Sequence, residues 1–162
     1  MEIRIVEAAD YVEPVRALIA EYTAGLNRDL TFQHLQEELA GLEERYFPPN
    51  GRLLAAIAGE QPVGCVALRR LEAGRCEMKR LYVRPDFRGQ QIGRRLAEAI
   101  LELARAEGYA EMVLDTLQPM TRAVALYRDL GFQEIPAYYQ NPYPDVVYMR
   151  LDLLAEAPGE KV

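Results

Sequence analysis

Residues 76–95 read Cys76-Glu77-Met78-Lys79-Arg80-Leu81-Tyr82-Val83-Arg84-Pro85-Asp86-Phe87-Arg88-Gly89-Gln90-Gln91-Ile92-Gly93-Arg94-Arg95. A strand-like run ends at Val83, a short loop carries Pro85 and Gly89, and a helical pattern begins near Gln91. A helix start presents backbone N–H groups without intrahelical partners and a partial positive charge, which suits a phosphate. Gly89 and Gly93 remove side chains where a bulky anion would approach the backbone. Basic charge gathers in the same place. Over residues 75–95, Arg75, Lys79, Arg80, Arg84, Arg88, Arg94 and Arg95 are opposed only by Glu77 and Asp86, in a chain of net charge −6. The stretch is not a P-loop, which ends in Gly-Lys-Ser/Thr, nor a dinucleotide fingerprint, which needs Gly-x-Gly-x-x-Gly.

Working outward, the elements alternate in type. Ile3 and Ile5 mark a first strand. Val12, Val15, Leu18, Ile19 and Tyr22 follow helical spacing over Tyr11–Leu26, and Phe32, Leu35, Leu39 and Leu42 predict a second helix over Phe32–Leu42 with Thr31 as its N-cap. Pro48-Pro49-Asn50-Gly51 is a turn. Three strand-like runs follow, Leu53–Ala58, Val63–Leu71 and Cys76–Val83, separated by short polar breaks that predict antiparallel hairpins. A helix spans Ile92–Ala106 with Leu96, Ile100, Leu103 and Ala104 inward and Gly108 as its stop. Then come a buried strand at Met112–Leu114, a helix at Ala123–Leu130 ended by Gly131, and strands at Phe132–Ile135 and Val146–Leu151. The order β-α-α-β-β-β-α-β-α-β-β gives an α/β fold with a mixed, mostly antiparallel central sheet flanked by helices, not a doubly wound one. With 162 residues, half of them hydrophobic, the chain reads as a single domain over 1–154 with a short flexible tail at 155–162.

The charge balance of 19 Lys+Arg against 25 Asp+Glu argues against nucleic acid as a partner. No run approaches the ~20 apolar residues of a membrane helix. The N-terminus lacks the apolar core of a signal peptide. Two cysteines, Cys65 and Cys76, are too few for a disulfide scaffold and read as buried reduced thiols. Together these imply a cytoplasmic protein.

The combined pattern resembles the GNAT superfamily of N-acetyltransferases, whose signature Arg/Gln-x-x-Gly-x-Gly/Ala follows the fourth strand. Here the matching run is Arg88-Gly89-Gln90-Gln91-Ile92-Gly93, with Gln91 in place of the middle glycine. Leu81-Tyr82-Val83-Arg84-Pro85 looks like that fourth strand, and Ala123-Val124-Ala125-Leu126-Tyr127-Arg128-Asp129-Leu130-Gly131-Phe132 looks like the last helix and the strand after it. Met120 stands where many members carry Asn.

The resemblance implies acetyl-CoA as cosubstrate and no metal. It also implies cofactor contacts from Leu81, Tyr82, Val83, Arg88, Gly89, Gln90, Gln91, Ile92, Gly93 and Arg94, and direct transfer to an amine on a small molecule or peptide. Homodimers are common in the family. Attack of an amine on a thioester needs a proton acceptor, an oxyanion donor and a proton for the leaving thiolate. Tyr127 is the implied general acid, since a phenol with a pKa of about 10 is protonated at neutral pH. Backbone N–H groups near Leu81–Val83 are the implied oxyanion donors. Glu77, at the start of the fourth strand, is the candidate base, with a water chain as its rival; alternation places Glu77, Lys79, Leu81 and Val83 on one face.

Four further features each carry two readings. His34 reads as a solvated surface histidine, with a role at the acceptor site as the alternative, and Glu37-Glu38 and Glu43-Glu44 as solvated helix faces, with attraction of an amine substrate as the alternative. The loop Ala137–Asp145, with Tyr138, Tyr139 and Tyr143, is either an acceptor-binding rim or a loop packed on the sheet. Two other functions fit the same residues: a non-catalytic acyl-CoA sensor on this fold, and an unrelated α/β domain using Arg88–Gly93 for another phosphate.

Overall fold

The structure is a computed structural model, and it describes residues 2–26, 28–29, 34–72 and 74–154. The elements are β1 (Ile3–Glu7), α1 (Val12–Gly25), α2 (Leu35–Ala40), α3 (Leu42–Tyr46), β2 (Gly51–Ala58), β3 (Gln61–Arg70), β4 (Arg75–Val83), α4 (Ile92–Ala106), β5 (Glu111–Leu117), α5 (Thr121–Asp129), β6 (Gln133–Ile135) and β7 (Val146–Asp152). One seven-stranded sheet has the order β1-β2-β3-β4-β5-β7-β6. Its β4–β5 pair is parallel, whereas β1–β2, β2–β3, β5–β7 and β6–β7 are antiparallel. The mixed sheet expected from the element order is therefore present.

The chain divides into two compact units. The first comprises Met1–Arg70 and Met78–Ile100, and the second Leu71–Glu77 and Leu101–Val162, so β4 and α4 each contribute to both. In the first unit, one face of α1 (Val15, Leu18, Ile19) packs with Leu42 and Tyr46 of α3 and with Leu53, Ala55, Ile57, Cys65 and Ala67 of β2 and β3. Seven of the eight β2 residues are buried, so the strand is covered on both faces. Ile92, Leu96, Ala97 and Ile100 are the inward residues of α4 in this unit. Gly64 allows β3 to lie close to β4, because a Cβ there would stand 2.9 Å from the Tyr82 carbonyl oxygen. In the second unit, Met112, Val113 and Leu114 of β5 are buried with Phe132, Tyr148, Met149 and Leu151.

The second helix departs from its expected form. Gly41, at φ −128° and ψ 50°, leaves the helical region and ends α2, and a further short helix, α3, carries the chain from Leu42 to Tyr46, beyond the expected end. The expected stripe changes with it: Leu35 and Leu39 are half-buried, and the fully buried residue of α2 is Glu38. Thr31 and Phe32, and the tail at 155–162, lie outside the described residues. In α4, Leu103 is only half-buried and Leu101 takes the inward position beside Ala104. The helix stops hold: Gly108 and Gly131 have φ of +84° and +104°, where a Cβ would be strained.

Candidate active site

β4 carries an interruption that alternation did not predict. Arg80 has φ +59°, in the left-handed region that costs a non-glycine residue about 1–3 kcal/mol. The strict two-residue period breaks there, so Glu77 and Val83 are not members of one continuous face. Two contacts hold the unusual backbone. The Cys65 thiol donates to the Arg80 carbonyl at 3.4 Å, and the Arg80 guanidinium gives two hydrogen bonds, both 2.9 Å, to the two carboxylate oxygens of Glu38. Both side chains are out of solvent, at 6% and 0% exposure.

Burial alone would raise the Glu38 carboxyl. The hydrogen bonds and charge of Arg80, helped by Lys79, outweigh it and hold the carboxyl below its ordinary value. Glu38 is thus no part of a solvated helix face, although Glu37, Glu43 and Glu44 are exposed as expected. Nothing in the helix pattern could have revealed this, because the partner is 42 positions away.

Beyond Arg80, Leu81, Tyr82 and Val83 are half-buried. The Tyr82 ring turns toward α1, 5.4 Å from the Tyr22 ring, and its hydroxyl donates to Glu21 at 2.5 Å. Burial and Glu21 push the Tyr82 phenol up to about 12. The loop after β4 makes one 3-10 turn at Pro85–Phe87, and then Arg88 Nε donates to the Val83 carbonyl at 3.1 Å. Gly89 at φ +86° and Gln91 at φ +64° are both left-handed. Gln91 is the position at which the signature has glycine, so the preference has a local conformational cause.

Arg88, Gly89, Gln90 and Gln91 are exposed, Gly93 and Arg94 are half-buried, and Ile92 is anchored in the core. A Cβ on Gly89 would meet nothing within 4 Å, and one on Gly93 would touch only Val83 at 3.8 Å. An exposed turn therefore leads directly into the first N–H groups of α4. The basic cluster of the sequence is smaller in space. Arg80 is consumed by Glu38, and Arg75 is tied to Glu72 and Glu111 at 3.1 and 3.5 Å. Arg84, Arg88, Arg94 and Arg95 remain around the turn. Arg84 also faces Glu21 at 3.5 Å, and Arg94 faces Glu98 at 3.7 Å.

The second unit holds Glu77 and Tyr127. Glu77 is 4% exposed and accepts a 2.5 Å hydrogen bond from the Tyr138 hydroxyl. Tyr139 donates to Asp115 and receives the Asn141 amide at 2.9 Å, and the Tyr148 hydroxyl donates to the Tyr139 carbonyl at 3.3 Å. The rings of Tyr138, Tyr139 and Tyr148 meet edge to face with centroids 5.3–5.6 Å apart, and the Arg75 guanidinium stands over Tyr138 at 5.4 Å. Burial, then Glu77 and Asp115, push the Tyr138 phenol far up; burial and Asp115 do the same for Tyr139. Both keep their protons at neutral pH. Of the two readings of loop 137–145, the packed one describes Tyr138 and Tyr139.

Tyr127 is 7% exposed, with its ring edge to face against Phe132 at 5.8 Å. Met120 precedes α5 and receives a weak contact from the Thr116 hydroxyl at 4.0 Å. His34 is an exposed residue at φ +58°, 4.0 Å from Glu37. Both cysteines are free and buried, and burial raises each thiol to about 12. Among the described residues no group of three or more His, Cys, Asp or Glu could hold a metal, and no helix is long and apolar enough to cross a membrane.

Comparison with known proteins supplies the family. The sequence profile described as "Acetyltransferase (GNAT) family" matches residues 16–132. An uncharacterised N-acetyltransferase of Schizosaccharomyces pombe is 41% identical over 155 residues, covering 94% of this chain and 95% of its own. The crystal structure of a GNAT-family acetyltransferase from Staphylococcus aureus superposes with a TM-score of 0.79 at 22% identity, covering 94% of this chain and 99% of that one. PaiA N-acetyltransferase of Thermoplasma acidophilum, solved in complex with coenzyme A, superposes at 0.70 and 16% identity over 94% of this chain and 99% of its own. A profile spanning most of the chain, a relative matched almost end to end and the shared fold agree: the chain belongs to the GNAT family of acetyltransferases.

Proposed function

We propose that this chain transfers the acetyl group of acetyl-CoA to a primary amine of a small-molecule or peptide acceptor, by direct attack, in the cytoplasm. The observation that carries the reading is the exposed turn Arg88–Gln91 running into the start of α4, with open space at Gly89 and arginines around it in an otherwise acidic chain. That arrangement fits a pyrophosphate.

Acetyl-CoA supplies the activated thioester. Backbone N–H groups of Gly89 through Arg94 hold its phosphates, and the Arg88 and Arg94 side chains add charge. Leu81, Tyr82 and Val83 offer backbone groups to the pantetheine arm as an added strand would receive them, and one N–H there faces the developing oxyanion. Glu77 accepts the proton of the attacking amine, and Tyr127 returns a proton to the thiolate. Support for Glu77 comes from the Tyr138 hydroxyl, which fixes one carboxylate oxygen at 2.5 Å. Support for Tyr127 comes from its packing on Phe132, which limits the ring to a narrow range of orientations.

The test is a thiol-release assay with acetyl-CoA across a panel of primary amines, run beside a thermal-shift titration with acetyl-CoA and ATP. Stabilisation by acetyl-CoA alone, with turnover of at least one amine, supports the reading. Stabilisation without turnover on any amine points to the sensor function. No acetyl-CoA response excludes both.

A further inference from the structure

We infer that Glu38 is a positioning residue for acetyl transfer: through its buried pair with Arg80, α2 sets the backbone of β4 that presents the oxyanion donor. The inference rests on the reading that N–H groups of Leu81–Val83 face the thioester oxygen.

Arg80 is the one described residue of β4 with a left-handed φ, and it immediately precedes those groups. Rotation of one residue out of the extended region re-aims the N–H and carbonyl of the peptides that flank it. Such a conformation persists only where its surroundings dictate it. Here they are the two-pronged hydrogen bond to Glu38, the Cys65 thiol on the Arg80 carbonyl, and the close approach of β3 at Gly64 to the Tyr82 carbonyl.

A role in stability alone is a weaker account of the pair. Two charges removed from water rarely outdo an apolar pair of the same size, whereas in some folds they fix one register against others. The planar guanidinium on both carboxylate oxygens fixes direction as well as distance. The tether also works in reverse. α2 has six residues, too few to be helical by itself, so the same bond that shapes β4 holds α2 in place. A disturbance of α2 is thereby transmitted to the strand backbone.

The experiment reads the thioester carbonyl directly and needs no acceptor. Acetyl-CoA labelled with 13C at the carbonyl is bound at saturation, and its infrared stretch is compared with that of free acetyl-CoA. Affinity is measured by calorimetry. Wild-type protein is expected to move the band to lower frequency. Glu38→Asp, which keeps the charge but shortens the reach, and the apolar double variant Glu38→Met with Arg80→Met are expected to lose most of that movement even when acetyl-CoA is raised to saturate them. If either folded variant, saturated with acetyl-CoA, keeps the full band shift, the inference is overturned. Wild-type protein that fails to bind acetyl-CoA overturns the acetyltransferase reading instead. Wild-type binding with no band shift removes the oxyanion donor and the role of Glu38 with it.

Discussion

Two side chains in unusual surroundings allow expectations at the scale of single residues. Gln91 holds a left-handed backbone at φ +64° in an exposed turn. Such a backbone costs an L-residue about 1–2 kcal/mol, part of which glycine returns as extra freedom in the unfolded chain. Gln91→Gly should therefore stabilise by a fraction of that cost, up to about 1 kcal/mol, and raise Tm by about 2–4 °C in calorimetry for a chain of this size. The backbone N–H is retained, so KM for acetyl-CoA should stay put. Tyr127 separates packing from chemistry. Phenylalanine keeps the edge-to-face contact with Phe132 and removes only the hydroxyl. Tyr127→Phe should leave Tm nearly unchanged and lower kcat by about 10²–10⁴-fold, the usual worth of a general acid. An unchanged kcat on every accepted amine would make Tyr127 a packing residue.

At the scale of elements, α2 and β4 are joined by a pair whose ionisation makes them sensitive to acid. The Glu38 carboxyl sits below its ordinary value in the folded protein. Its contribution is therefore present in full above the unfolded value of about 4.5 and fades as pH falls through the lower folded value. In urea titrations at a series of pH values, the unfolding midpoint should drop as pH is lowered below about 4.5. The Glu38→Met, Arg80→Met double variant should show a shallower drop. Equal slopes for both proteins would mean that other carboxylates carry the acid sensitivity.

The elements also divide by how far their causes reach. β4, the loop and the start of α4 were legible because their signals are local: a strand-like run ending at Val83, Pro85, Gly89 and then helical spacing that begins at the observed Ile92. The same holds for α1 and for the glycine stops. Glu38 was not legible, since a carboxylate on a short helix looks solvated until a guanidinium from β4 meets it. The left-handed Arg80 is equally silent in sequence, where nothing but glycine announces such a backbone. Tyr138 and Tyr139 were visible as an aromatic excess. Their destination depended on carboxylates at Glu77 and Asp115, both more than 20 positions upstream.

For the whole molecule, the relevant quantity is the contrast between a net charge of −6 and the arginines around residues 84–95. On the proposed reading acetyl-CoA, a polyanion, is repelled by the chain as a whole and attracted by the turn. These charges are exposed or half-buried, and the attraction is screened over about 8–10 Å at physiological salt. Affinity for acetyl-CoA should fall as NaCl rises from 20 to 500 mM in calorimetry, and replacing Arg88 with glutamine should flatten that dependence. An affinity indifferent to salt would place the phosphates away from the turn. The two-unit division has a consequence of another kind. Every residue of the first unit has been synthesised once Ile100 is reached, although that unit leaves out residues 71–77. A domain that emerges vectorially tends to fold what is complete. The turn and its flanking strand thus leave the ribosome ahead of β5, and Arg75, Cys76 and Glu77 can gain their β5 partners only after Glu111, Met112 and Val113 have followed.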